Sequence, residues 1–136
     1  MDHANAHWLA PDLAAFEAMA MAALADVPQP FRAAAQGVAI RVEDFAPDYI
    51  LNDMKMDSPF ELTGLYDGIP LTEKSTAQQP TSPDTIWLFR RPILDEWADR
   101  GNEALGDLIA HVLVHELAHH FGWSDDDIAA IDKWWT

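Results

Sequence analysis

The sequence predicts an α+β fold with three or so strands and about four helices. Three observations carry that reading. Short β-branched or alternating segments occur at residues 38–42, 62–67 and 85–90; apolar residues recur at helical spacing from Leu13 to Leu24; and a long helical pattern runs from Asn102 to Phe121. The chain has 136 residues, 49% of them hydrophobic, which suits one packed core and excludes global disorder. Residues 1–136 therefore read as a single domain, with 1–10, including His3 and His7, as a flexible terminus.

Each element has a local cause. A first helix follows Pro11 or Asp12, because Leu13, Phe16, Met19 or Ala20, and Ala23 or Leu24 share a face on an alanine-rich background. Pro28 and Pro30 stop it. Val38-Ala39-Ile40-Arg41-Val42 is β-branched and alternates beyond Ile40, as a strand does. Residues 43–61 contain Pro47, Asn52, Asp53, Ser58 and Pro59 and read mostly as turns. A second strand over 62–67 is closed by Gly68 and Pro70, and a proline at that flank suits an edge position. Residues 72–84 are polar and read as a surface loop. Thr85-Ile86-Trp87-Leu88-Phe89-Arg90 is the strongest strand pattern of the chain. Pro92 opens a short helix over 93–99 that ends near Gly101. Asn102 caps the helix that runs to Phe121, Gly122 stops it, and Ser124 caps a last helix over 125–134.

Composition excludes several function classes. Lys and Arg number 8 against 23 Asp and Glu, a net charge of −15. Such a surface repels phosphate backbones and anionic lipid, and Arg90-Arg91 is the only adjacent basic pair, so neither nucleic acid nor membrane is expected as a partner. No stretch of about 20 apolar residues is free of charge, as a membrane span would require. The apolar segment 13–27 carries Glu17 and Asp26 and follows no basic run, unlike a signal peptide. Cysteine is absent, which excludes disulfides, iron–sulfur clusters and cysteine zinc sites. A cytoplasmic location is the expectation, and the sequence leaves the oligomeric state open.

The chemistry concentrates in His115-Glu116-Leu117-Ala118-His119. Four residues advance a helix by about 400°, so the two histidines share a face one turn apart. Two imidazoles so placed can meet one tetrahedral Zn²⁺ at about 2.0–2.1 Å each. Glu116 neighbours that face and is placed to hold a metal-bound water rather than the metal. This is the HExxH pattern, which would arise in roughly 1% of shuffled chains of this composition. Catalytic zinc usually has three protein ligands. No Glu follows Glu116 and no His follows His120, which leaves Asp125 in the longer pattern HExxH-x-x-G-x-x-D. Gly122 can take a positive φ and turn the chain back towards the pair.

Other readings of these residues stay open. The histidines could be hydrogen-bonded on a partly buried helix, and Glu116 could be a solvated charge. Ser124-Asp125-Asp126-Asp127 is also what a capped helix start looks like, with acids favoured by the helix dipole. His120 points about 100° from His119 and reads as a supporting or surface residue. His111 reads as a partly exposed histidine that could reach the same cleft. The tryptophans read as core or rim anchors.

The run from His115 to Asp126, with Leu65-Tyr66-Asp67-Gly68-Ile69-Pro70-Leu71 and Phe89-Arg90-Arg91-Pro92-Ile93, resembles the small bacterial zincin-like metallopeptidases, or minimal zincins. The likeness spans roughly residues 31–127. It implies a compact α+β domain with a small mixed sheet and an active-site helix bearing HExxH. It also implies His115, His119 and Asp125 as metal ligands and Glu116 as general base. The extended motif is similar to that of metzincins, but no Met lies downstream of Met56, so their methionine turn is missing. Larger zincins use Tyr or His side chains to stabilise the oxyanion. Tyr49 and Tyr66 are the only tyrosines here, and the sequence assigns neither to that role. The expected function is zinc-dependent hydrolysis of a peptide or protein substrate, with one Zn²⁺ or another divalent ion per chain and a metal-bound water activated by Glu116. The peptide could pair along the 62–67 strand. The alternative is a catalytically weak or inactive metal-binding interaction domain of the same fold, because so small a chain has little wall for a deep cleft.

Overall fold

Asp12 starts the first helix. Its Oδ1 accepts from the Ala15 N–H at 2.9 Å and caps α1 (Leu13–Ala25), whose Phe16 and Ala20 are fully buried. The computed structural model describes residues 11–29, 31–68 and 84–123. The expected terminus with His3 and His7, all of the expected loop over 72–84 except Asp84, and the last helix over 125–134 with Asp125 lie outside the described residues. After α1 come α2 (Phe31–Ala34), β1 (Ala39–Glu43), α3 (Asp48–Asp53), a 3₁₀ turn (Pro59–Glu61), β2 (Gly64–Asp67), β3 (Thr85–Phe89), α4 (Arg90–Arg100) and α5 (Leu105–His120).

The three strands form one mixed sheet in the order β1-β3-β2. β1 runs parallel to β3, with Ala39 opposite Thr85 and Glu43 opposite Phe89. β2 runs antiparallel to it, with Gly64 opposite Leu88 and Asp67 opposite Thr85. The central place of β3 explains why its sequence is apolar on both faces. Ile86 and Leu88 point into the main core with Phe16 and Ala20 of α1 and Leu108, Ile109, Leu113 and Leu117 of α5. Phe89 points the other way, into a smaller cluster with Ala46, Leu51 and Leu62, against which Trp87 and Leu65 pack.

Five elements differ from the sequence expectation. The turn-rich segment 43–61 contains α3, which opens after Pro47, carries Asp48 in its first turn and buries only Leu51. Six residues are too few to display a helical period. α2 is likewise a four-residue helix that its sequence does not announce. α4 starts at Arg90 rather than 93, with Pro92 in its first turn. Proline fits there because first-turn N–H groups have no partner within the helix. α5 starts at Leu105 after Ala104, not after an Asn102 cap. The Trp97 indole N–H donates to the Glu103 carbonyl at 2.6 Å and holds the connection from Gly101 outside the helix. At the other strand, Ser58 and Glu61 form a capping box on the 3₁₀ turn, so Leu62 ends that turn and β2 begins at Gly64. No helix among the described residues is long and apolar enough to cross a membrane.

Candidate active site

Burial sets the rotation of α5. Val112, Leu113, Val114, Leu117 and Ala118 are buried, which leaves His115, Glu116 and His119 half-buried on the side that faces a cleft. That cleft, of about 560 Å³, is lined by these three residues, by Met54 and Leu62, by Gly64, Leu65, Tyr66 and Gly68 along β2, and by Gly122 and Trp123. The structure thus brings together three of the four expected site residues. The fourth, Asp125, is outside the described residues. His111 is partly exposed and is not among the cleft's lining residues.

The histidine pair can be tested for its fit to a metal. Two imidazoles that each point a nitrogen at one tetrahedral ion, at about 2.0–2.1 Å, have ring centres about 5 Å apart. The His115 and His119 ring centroids lie 5.2 Å apart at an interplanar angle of 77°. The pair therefore fits two corners of such a site. Among the described residues no group of three or more His, Cys, Asp or Glu could hold a metal ion. Among the described residues the two rings are at most a partial donor set.

Strand β2 lies against α5 because Gly64 has no side chain. A Cβ at Gly64 would stand 2.8 Å from Val112 Cγ1 and 3.2 Å from Glu116 Cγ, closer than packed side chains allow. The strand can approach only as glycine, and its approach brings the Glu116 side chain beside the β2 backbone. No local pattern marks this role for Gly64, since Glu116 is far from it along the chain.

The end of α5 is fixed by its backbone. Gly122 takes φ of 87°, its N–H donates to the His119 carbonyl at 2.9 Å, and the Trp123 N–H donates to the Ala118 carbonyl at 3.0 Å. This paired C-terminal motif satisfies two carbonyls that the helix leaves open. Phe31 of α2 packs against it, with ring centroids 5.6 Å from Phe121 and 5.4 Å from Trp123. Gly122 does stop the helix as the sequence suggests.

His120 is a buried residue, not a surface one, and it turns towards the sheet. Its ring lies between Tyr66, Asp84 and the Ala34 carbonyl. Tyr66, unassigned by the sequence, is on the cleft wall and donates its hydroxyl proton to Asp84 at 2.9 Å. No local signal could have found this cluster, because 18 residues separate Tyr66 from Asp84 and 54 separate it from His120.

A small mixed sheet with an HExxH helix laid along its antiparallel edge strand has the architecture of a zincin-like domain. The family model for zincin-like metallopeptidases matches residues 35–135, and the chain belongs to that family. No curated protein matches it.

Proposed function

We propose that the chain is a zinc-dependent peptidase in which His115, His119 and Asp125 hold the ion and Glu116 is the general base. The observation that carries this reading is the convergence of His115, Glu116 and His119 on one cleft walled by an edge strand. Membership of a peptidase family supports peptides or proteins as the substrate class. Residues 1–136 act as one domain in this reading, and a cysteine-free chain suits a cytoplasmic setting.

When bound, zinc supplies Lewis acidity that acidifies water and polarises a carbonyl oxygen. His115 and His119 offer neutral ring nitrogens for it, and the Asp125 carboxylate completes the set. Glu116 accepts the proton of the attacking water and delivers it to the leaving amine nitrogen, so the carboxylate is restored at the end of the reaction. Among the described residues β2 pairs on one side only, and its other edge offers backbone groups to which an extended peptide can bond. That pairing aligns the substrate beside Glu116.

The test separates metal from turnover. Glu116→Gln should retain about one equivalent of zinc and lose hydrolysis by roughly 10²–10⁴-fold, whereas His119→Ala should lose the zinc. Undiminished cleavage by Glu116→Gln would end the mechanism. Zinc binding without cleavage of any member of a broad peptide library would favour the metal-binding interaction domain instead. Imidazole must be neutral to ligate, so zinc affinity should weaken as the pH is lowered, and an affinity independent of pH would count against histidine ligation.

A further inference from the structure

His120 follows a proposed metal ligand directly, yet it is only 3% exposed and is not among the residues that line the cleft. Its Nδ1 lies 3.1 Å from Asp84 Oδ2 and 3.2 Å from the Tyr66 hydroxyl, and its Nε2 lies 3.3 Å from the Ala34 carbonyl. Asp84 is 8% exposed, and the same Oδ2 also accepts the Tyr66 hydroxyl proton. The Asp84 carbonyl accepts from the Ala39 N–H at 2.8 Å, where β1 begins. A buried carboxylate is tolerated when it is fully bonded. This one ties β2, through Tyr66, to His120 in the last turn of α5, while the Asp84 main chain holds the start of β1 and His120 reaches the Ala34 carbonyl of α2.

The register of strand and helix gives the cluster a purpose. Val112, Glu116 and His120 form one stripe of α5, about 6 Å per step. Gly64 and Tyr66 share one face of β2, about 6.8 Å apart. The spacings match, so the strand meets the stripe twice: Gly64 at Val112 and Glu116, Tyr66 at His120. His115 and His119 lie about 100° round the helix from that stripe. Whatever fixes the stripe fixes the direction of the two rings. Gly64 fixes it in the middle of the helix, and at the end, where helices fray, the cluster adds directed polar bonds at His120 to the burial of Leu117 and Ala118.

We infer that Asp84 is a positioning residue. Through His120 and Tyr66 it holds the last turn of α5 in the rotation that turns His119 into the cleft. This rests on the ligand assignment proposed above, and the test keeps the two apart.

Co²⁺ binding and amide hydrogen exchange of the metal-free protein are the readouts. Asp84→Ala should weaken Co²⁺ binding by about 10–100-fold, as loss of a supporting partner does. It should also lower exchange protection at Phe121, Gly122 and Trp123 while leaving Leu113 near wild type. Asp84→Asn keeps an oxygen acceptor for His120 and Tyr66 and should restore Co²⁺ affinity to within about threefold of wild type. Tyr66→Phe removes the hydroxyl's bonds to Asp84 and His120 and keeps the ring. It should cost about three- to tenfold, and it decides the matter if Asp84→Ala does not fold. A role in stability alone predicts a lower Tm, even loss of protection along α5 and unchanged Co²⁺ affinity in the folded variants. That result overturns the inference. Failure of the wild type to bind Co²⁺ overturns the ligand assignment instead. The exchange pattern then still judges the cluster: selective loss at the last turn supports it, and even loss refutes it.

Discussion

The two edge strands of the sheet pair with the same β3, yet they do different work. β1 packs by its side chains, with Ile40 and Val42 set against the main core. Its other face carries Arg41, whose guanidinium lies 5.9 Å from the ring centroid of Trp87, its register partner. Just beyond its end, Asp44 is held by Arg90, with Nε 2.7 Å from Oδ1, while Arg90 Nη1 donates to the Pro11 carbonyl at 2.9 Å. β2 meets its helix through a missing side chain at Gly64 and a hydrogen-bonded, partly buried hydroxyl at Tyr66. The first strand supports the frame, and the second shapes the cleft. The difference teaches that edge position alone does not make a strand a site wall. What matters is how closely its backbone can come to the helix that carries His115, Glu116 and His119.

If this division is right, substitutions should separate stability from activity by strand. The largest effect is expected from Gly64→Val on β2, whose new side chain would push against Val112 and Glu116. A shift of about 1 Å in a reacting group can reduce turnover by about 100-fold, and kcat/KM on a peptide substrate should show it while the protein remains folded. Ile40→Ala on β1 should do the opposite. It removes partly buried apolar surface at a cost of about 2 kcal/mol, readable by urea unfolding, and should leave kcat/KM within twofold. Arg90→Met should destabilise by about 1–2 kcal/mol, because Asp44 is half exposed and water can partly replace the lost partner. The smallest effect belongs to Arg100→Ala, whose ion pairs with Glu96 and Glu103 are on the surface. It should change stability by less than about 0.5 kcal/mol and disappear into the error of a thermal melt. Equal loss of turnover from Gly64→Val and Ile40→Ala would break the comparison.

The legible parts of the molecule are those whose cause lies within a few residues. The strand patterns at 38–42 and 85–90, the Asp12 cap, the Gly101 and Gly122 stops and the edge position of the second strand all follow from local chemistry. So does the placement of His115, Glu116 and His119 on one side of a helix. Two kinds of feature were not legible. Short helices such as α3 bury one residue and show no period. Contacts between distant positions leave no mark either: the parallel pairing of β1 with β3, the close approach at Gly64, and the bonds of His120 to Asp84 and Tyr66. The start of α5 was misplaced for a related reason. Asn102 has the chemistry of a cap, but the Trp97 indole engages the Glu103 carbonyl and the helix begins beyond it.

The close approach at Gly64 also limits how this molecule can change. Where the strand passes the helix, the wall is main chain, and a codon change cannot exchange one peptide group for another. Variation in what the cleft accepts must then come from other residues that line it, such as Met54, Leu62, Leu65 and Trp123. Laboratory evolution towards new substrates should accumulate its mutations at those four positions and leave residue 64 untouched.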